Sequence, residues 1–274
     1  MPASRHRSAK VGSPGSMKAF ITGARSELGK LLAGAAGSIH IDVSGQQANT
    51  LLHDGHAWKD FARTARAGTR RAVRAAQEDG ATMLVHASFA FVHAIESGES
   101  VEEPLLSSVE AILECEALAL SGPVPACVVR LGYLYGPESA NLRAYRTAFR
   151  LGRPYWSGSA KALQYHLHQL DAASALLAAG RPRNAGKVLY ATDGVPVSFM
   201  ELMDAFAHRV GRAHPLHLPR IAKPLARVII REEHMQQTAL AMPPQAPKPG
   251  VPGWRAKFTD YRTGLDESIE AWGD

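Results

Sequence analysis

The chain has little cysteine: Cys115 and Cys127 are the only two in 274 residues. That is too few for a disulfide framework and predicts buried thiols in a reducing compartment. Long apolar runs are missing too, since none approaches the roughly 20 residues that cross a bilayer. The first sixteen residues, MPASRHRSAKVGSPGS, hold no apolar stretch of the secretory-signal kind. The sequence therefore reads as cytoplasmic, with a flexible basic tail over 1–16, Met17 as an alternative start, and no membrane partner. Clustered positive charge is also lacking. The formal net charge is +6, but Arg5, Arg7 and Lys10 lie in the tail, and Arg63, Arg66, Arg70, Arg71 and Arg74 share one predicted helix. This is the pattern of a solvated helix face, so nucleic acid is not an expected partner. No internal repeat is present, and no tyrosine precedes Tyr133.

What is there is an ordinary globular composition, 46% hydrophobic and 20% charged. Lys18–Thr22 reads as a short strand running into Gly23, followed by a helix over 27–36. Ser38–Val43 reads as a strand, 58–78 as a long helix and Met83–Ala87 as a strand. Glu103-Pro104 opens a helix to about Leu120, and Ala126–Leu131 is the next strand. Strands alternating with helices of this length predict an α/β fold, a doubly wound parallel sheet built from βαβ units. Beyond Gly136-Pro137 the rhythm loosens. Lys187–Ala191 reads as one more strand, Phe199–Val210 as an amphipathic helix, and 215–254 as irregular and proline-rich. The reading is a core over 17–138 and a small C-terminal substrate lobe over 139–274, with core strands returning at about 162–196.

Several stretches carry a more specific signal, in co-linear order. They are Thr22–Gly29 (TGARSELG), Ile39–Ile41 (IHI), Gly68–Val73 (GTRRAV), Leu84–Ala94 (LVHASFAFVHA), Arg130–Pro137 (RLGYLYGP), Gln164–Leu176 and Trp254–Leu265 (WRAKFTDYRTGL). Together they resemble landmarks of the extended short-chain dehydrogenases/reductases, the NAD-dependent epimerase/dehydratase group, over roughly residues 17 to 270. The resemblance implies a Rossmann-like fold, NAD or NADP as cofactor, and a small-molecule substrate. It also implies a homodimer formed through the helices Trp58–Glu78 and Leu105–Leu120. The cofactor turn would be Gly23, Arg25, Ser26, Leu28 and Gly29.

Three departures stand beside the matches. Ser26 replaces the middle glycine of the turn, adding a Cβ where backbone and pyrophosphate come close. If SIHIDV is the family's IHLAA strand, the chain skips two strands and their helices, shortening the adenosine-binding side. The alternative makes SIHIDV the second strand and Asp42 the ribose-binding acid. The downstream spacing favours the deletion. Third, the family's Ser/Thr position falls on Phe89, and its Tyr-x-x-x-Lys pair falls on Leu106/Glu110 or Ser108/Ile112, so neither register supplies the phenol and ammonium of the usual acid–base pair.

Candidates for other chemistry follow from residue type and place. Tyr133 and Tyr135 lie near a strand's carboxyl end, where ligands sit in open α/β sheets. His86 and His93 bracket the SFAF turn and, with a pKa of about 6.5, suit acid or base work. Ser88 follows the strand but sits in no nucleophile elbow. Phe89, Phe91 and His166 would line the substrate cleft. His166, His168 and Asp171 have zinc-ligand chemistry, but His168 and Asp171 match ordinary family positions, so no metal is expected. Three functions fit: an atypical NAD(P)-linked oxidoreductase or epimerase-like protein with Tyr133 or His93 as acid; a non-redox lyase, isomerase or cyclase; and a non-catalytic ligand- or partner-binding relative.

Overall fold

The structure, a computed structural model, describes residues 19–32, 38–49, 60–218, 224 and 230–273. The N-terminal tail and Met17 lie outside them, as do 33–36 of the first predicted helix and 58–59 of the second. Short, mostly apolar segments make the large sheet: the half-buried β1 (Ala19–Thr22) and the fully buried β2 (Ile39–Asp42), β3 (Met83–Phe89) and β4 (Ala126–Leu131). Two helices follow β1 and β2, α1 (Glu27–Leu32) and α2 (Phe61–Glu78). A short α3 (Val92–Glu96) and then α4 (Leu105–Leu120) link β3 to β4. Along β3 the side chains alternate: Met83, Val85 and Ala87 enter the core on the α1 side, while Leu84 packs on the opposite side with Ala76 and Ala119 of α2 and α4. Both cysteines are buried free thiols, and burial pushes that of Cys127 up to about 12.

The chain then leaves the large sheet for β5 (Tyr133–Tyr135), α5 (Ala140–Arg150), β6 (Leu163–His168) and α6 (Gln169–Ala179). It returns as β7 (Val188–Ala191), followed by β8 (Pro196–Ser198) and α7 (Phe199–Arg209). The described chain ends with α8 (Glu232–Gln237) and α9 (Tyr261–Glu270). The large sheet runs β1-β2-β3-β4-β7, and the small one β5-β6-β8. All pairings of the large sheet are parallel. An aromatic core of Tyr135, Tyr145, Phe149, Phe199, Phe206 and Tyr261 fills the lobe around the small sheet.

The strand order decides between the two readings of SIHIDV. β2 pairs with β1 on one side, Thr22 opposite Asp42, and with β3 on the other, Asp42 opposite His86. A second strand of the usual kind would lie on the outer side of β1. Only residues 33–37 separate α1 from the described residues before β2, too few for two strands and their helices. The sheet is therefore short on the β1 side, and Asp42 lies inside it. Tyr133 and Tyr135 lie just past the carboxyl end of β4, as expected, and form a strand of their own, β5, with His166 opposite Tyr133 and His168 opposite Tyr135.

The strands of the lobe are harder to read from the sequence because β6 and β8 run into their helices without turn residues. β6 passes directly into α6, and the imidazole of His168 itself caps that helix, its Nδ1 accepting Leu170 N–H at 3.3 Å. Gly132 makes the crossing between the sheets. A Cβ there would lie 2.8 Å from His166 O and 2.9 Å from Tyr165 O. Because both obstacles are backbone, Gly132→Ala is expected to cost about 1–3 kcal/mol, read as a lower urea midpoint.

Candidate functional site

The glycine turn is closed by its own side chains. Gly23, at φ +88, packs against the backbone of Ser44: a Cβ would come within 2.8 Å of Ser44 N. Ser26 Oγ donates to Gly23 O at 2.7 Å and accepts the N–H of Gly29 at 3.0 Å. A backbone donor of the turn is thereby satisfied within the chain. The neighbouring carboxylate, Glu27, accepts Ala140 N–H at 2.8 Å and the Gln169 amide at 2.9 Å. Burial raises its pKa, against the lowering effect of those two bonds. Arg25 points to solvent and Leu28 into the core. With a hydroxyl and a carboxylate set into the turn, and no strand beyond β1 among the described residues to carry an adenosine pocket, these residues do not fit a dinucleotide in the manner the resemblance implies.

On α4, Ser108 and Ile112 are buried against the sheet, while Leu106 and Glu110 face solvent. The inward register is thus Ser108/Ile112. Phe89 stands at the end of β3, tilted against Phe91 at 5.7 Å and edge-on to Phe61 at 6.1 Å. A narrow cleft opens in front of it, walled by Phe89, Phe91, Leu131, Tyr133, Tyr165 and Met242. Its polar lining comes from Gln164 and Gln237. The proline-rich stretch closes this cleft: Gln164 Nε2 donates to Gln237 O at 2.5 Å, and the Tyr165 hydroxyl donates to Pro244 O at 2.8 Å.

Behind Tyr133 lies a buried imidazole cluster. The Tyr133 ring meets His166 edge-on at 5.8 Å and His234 at 6.2 Å, and Phe199 closes the group. Neither nitrogen of His166 has a partner, nor does Nε2 of His234. Burial pushes both histidines down to about 3 and raises the Tyr133 phenol well above its usual range. His168 is lowered to about 4 by burial. The linkage sign follows from these directions. As pH falls from about 6.5 towards 3, the unfolded chain takes up protons at these histidines while the folded chain does not, so stability is lost at up to about 1.4 kcal/mol per pH unit for each. Asp193 acts in the opposite sense, since burial raises it to about 8, but three histidines outweigh it. His166→Phe is expected to flatten the acid limb of the urea midpoint plotted against pH.

The other expected site residues lie elsewhere. Ser88 donates to Glu116 Oε1 at 2.5 Å, as part of a buried network around Arg130. That guanidinium holds Glu116 through two bonds, 2.9 Å from Nε and 2.7 Å from Nη2, and reaches Glu96 at 2.7 Å and the Tyr190 hydroxyl at 2.8 Å. His93 stands at the edge of this network, edge-on to Tyr190 at 5.5 Å and 3.8 Å from the Glu96 carboxylate. The structure thus brings together Phe89, Phe91 and Tyr133, sets His166 behind Tyr133, and places Ser88 and His93 in the Arg130 network. Asp171 accepts the backbone N–H groups of Lys257 and Phe258 at 2.8 Å each, and His168 Nε2 lies 2.9 Å from Glu267. Among the described residues no group of three or more His, Cys, Asp or Glu side chains is placed to hold a metal ion. Sequence reasoning passed over Asp193, Gln164, Gln237 and Tyr165. Only Asp193 had a signal, a carboxylate just past the end of a core strand.

No family model matches the sequence. A curated protein from a Streptomyces species, 3-diazoavenalumate denitrifying reductase, is 31% identical over 222 residues, which is 75% of this chain and 72% of that protein. The chain belongs to the extended short-chain dehydrogenases/reductases. Solved members of the family share the fold at low identity. The human epimerase family protein SDR39U1, solved with NADPH, superposes with a TM-score of 0.69 at 14% identity, over 92% of this chain and 99% of that one. Bordetella bronchiseptica WbmG, solved with NAD and UDP, gives 0.65 at 16% identity, over 94% and 96%. RMD from Pseudomonas aeruginosa, complexed with NADPH, gives 0.62 at 17%, over 93% and 99%. Within this NAD(P)-binding family of epimerase- and reductase-like proteins, the present chain has a turn closed from within and, among the described residues, a five-stranded sheet that stops at β1. No helix of its described residues is long and apolar enough to cross a membrane.

Proposed function

We propose that this family member takes a small, flat, largely apolar molecule in the cleft between Phe89 and Tyr133. It does so without the family's Tyr–Lys proton transfer and without the family's full hold on a dinucleotide. The observation that carries this reading is the composition of the cleft. Where the resemblance implies a substrate-holding hydroxyl there is the ring of Phe89, and Phe91, Leu131, Tyr165 and Met242 complete an apolar wall around it. Such a lining gains most from burying a flat hydrocarbon surface, and its few amides give orientation. Tyr133, hydrogen-bonded through Asn141 and with its pKa raised by burial, serves as a neutral hydroxyl donor to the ligand. Calorimetric titration with trans-cinnamate is expected to saturate in the wild type. It should weaken at least about tenfold, or 1.4 kcal/mol, in Met242→Trp, which fills the cleft. Equal isotherms for the two proteins would remove the cleft as the binding site.

A second reading is favoured by the curated relative's activity. A diazo group is electrophilic enough to accept a hydride without prior protonation, so a reductase for such a substrate has no need of a phenol acid. This reading requires a reduced dinucleotide to bind. Its test is loss of an arenediazonium salt, with release of dinitrogen, in the presence of NADPH and the protein; no loss above the protein-free rate discards it.

A homodimer through α2 and α4 belongs to the same proposal, as does a reducing cytoplasmic setting. Leu106 and Leu113 are exposed on α4, at 38% and 40%, seven residues apart on one face. Sedimentation is expected to show a dimer that Leu113→Glu converts to monomer.

A further inference from the structure

One stretch of chain, residues 232–244 with α8 at its start, covers the Phe89–Tyr133 cleft and supplies Gln237 and Met242 to its lining. With that cover in place the cleft has room for about one water molecule. An aromatic ring can enter only if the cover moves. The cover is held by few bonds. Gln164 Nε2 donates to Gln237 O, Met242 N–H donates to Leu163 O at 2.8 Å, and the Tyr165 hydroxyl donates to Pro244 O at 2.8 Å. On the α4 side, Gln236 Nε2 donates to Glu103 O at 3.1 Å. Beyond the cover the chain is pinned to β7, where Tyr190 N–H donates to Pro249 O and Val251 N–H to Tyr190 O. The underside of the cover carries His234. Its ring is buried against Tyr133 and Phe199, and its Nε2 has no partner among the described residues. A ring nitrogen shut away from water without a bond destabilises the closed form, and opening restores that bond to water.

We propose that residues 232–244 are a lid over the Phe89–Tyr133 cleft, and that acid opens it through His234. When the lid lifts, water reaches the ring, which takes a proton from solvent and becomes an imidazolium unsuited to its apolar seat. The sign follows from the two environments. In water a histidine titrates at about 6.5, whereas burial holds His234 down to about 3 in the closed form. Between those values opening takes up a proton, so the open-to-closed ratio rises up to about tenfold for each pH unit lost. The titratable groups facing the ring are Tyr133 on β5 and, beyond it, His166 on β6. Helix α7 offers only Phe199, and α4 meets α8 through the Glu103 carbonyl. Helix α8 begins with Glu232 and Glu233 after Arg231, and residues 238–244 carry no charge. Burial alone accounts for the shift of His234. The inference rests on the reading of the cleft as a ligand site only for what the lid admits.

The test is hydrogen exchange on the full chain, read as protection factors between about pH 6.5 and pH 4.5. The amides of Leu240 and Met242, bonded to Gln237 O and Leu163 O, report the lid, and that of Val128, bonded to Lys187 O, reports the large sheet. At each pH the lid amides are expected to be less protected than Val128, and to lose up to about tenfold in protection per pH unit. His234→Phe should take a factor of about ten per pH unit out of that slope. Should His234→Phe not fold, His234→Gln keeps a hydrogen-bonding group without the proton uptake and should lose the same slope. The lid is overturned if its amides exchange together with Val128 at every pH. The role of His234 is overturned if the slope is unchanged in the variant that folds. Stopped-flow mixing with cinnamyl alcohol, uncharged across this range, then joins lid to cleft: its association rate should rise as pH falls, and less so in the variant. Lid amides that behave as expected, in a protein that takes up no cinnamyl alcohol, would uphold the lid and remove the ligand reading of the cleft.

Discussion

Titrated into the purified protein, NAD⁺, NADH, NADP⁺ and NADPH are each expected to bind more weakly than about 100 μM, or about −5.5 kcal/mol. Two separate features lead to this. At the pyrophosphate end, Ser26 Oγ already accepts the Gly29 N–H, and the Glu27 carboxylate stands in the same turn, where a second negative charge is repelled. At the adenosine end, the sheet stops at β1 among the described residues, so the strands that would present a ribose-binding acid are missing. The features separate in a variant. Ser26→Gly with Glu27→Gln repairs only the first, and is expected to improve binding by less than about tenfold, or 1.4 kcal/mol. Tight, saturable binding by the wild type would instead restore the reductase reading and make Tyr133 the next residue to mutate.

Replacing Arg130 by alanine is expected to remove about 3–5 kcal/mol of stability, a large share of what a domain has. The guanidinium is almost completely buried, yet it meets two carboxylates and a phenol from three other elements. Deleting it leaves Glu116 buried with only the Ser88 hydroxyl to bond it, and removes the link between α4, α3 and β7. Urea unfolding at neutral pH measures the loss. The Arg66–Glu114 pair between α2 and α4 is a useful control, because it is mostly exposed. Arg66→Ala should leave the midpoint nearly unchanged, as surface ion pairs are screened and entropically costly. A similar loss from both variants would mean that Arg130 acts through bulk packing and not through its charge.

The large sheet was legible because its strands are short, mostly apolar runs between turn residues, and because the motif order fixes which strand is which. SIHIDV needed one further fact, its pairing partners, to settle that it lies between β1 and β3, with no strand beyond β1 among the described residues. The lobe was less legible. β5 is three residues long, β6 joins α6 with no turn between them, and His168 caps that helix in place of a serine or aspartate. At the site, Phe89, Phe91 and Tyr133 could be placed from their neighbours in RLGYLYGP and LVHASFAFVHA. The Asp42–His86 pair could not, since its partners are 44 residues apart and meet only through strand register. Ser88 and His93 had the right residue types, but a carboxylate on α4 and a ring on β7 claim them, and neither element adjoins them in sequence.

The nesting of the chain has a consequence for its making and its cutting. β5, α5, β6 and α6 are spelled out between β4 and β7, which are neighbours in the large sheet. No single cut in the chain can therefore release the lobe and leave the core whole. A truncation before β7 would lose Tyr190, its bond to Arg130 and the strand that closes β4. On the ribosome the large sheet can close only after Ala191 has emerged, with the whole inserted segment already made. The pairing of β4 with β7 thus carries the entropy cost of closing the loop that holds the inserted segment.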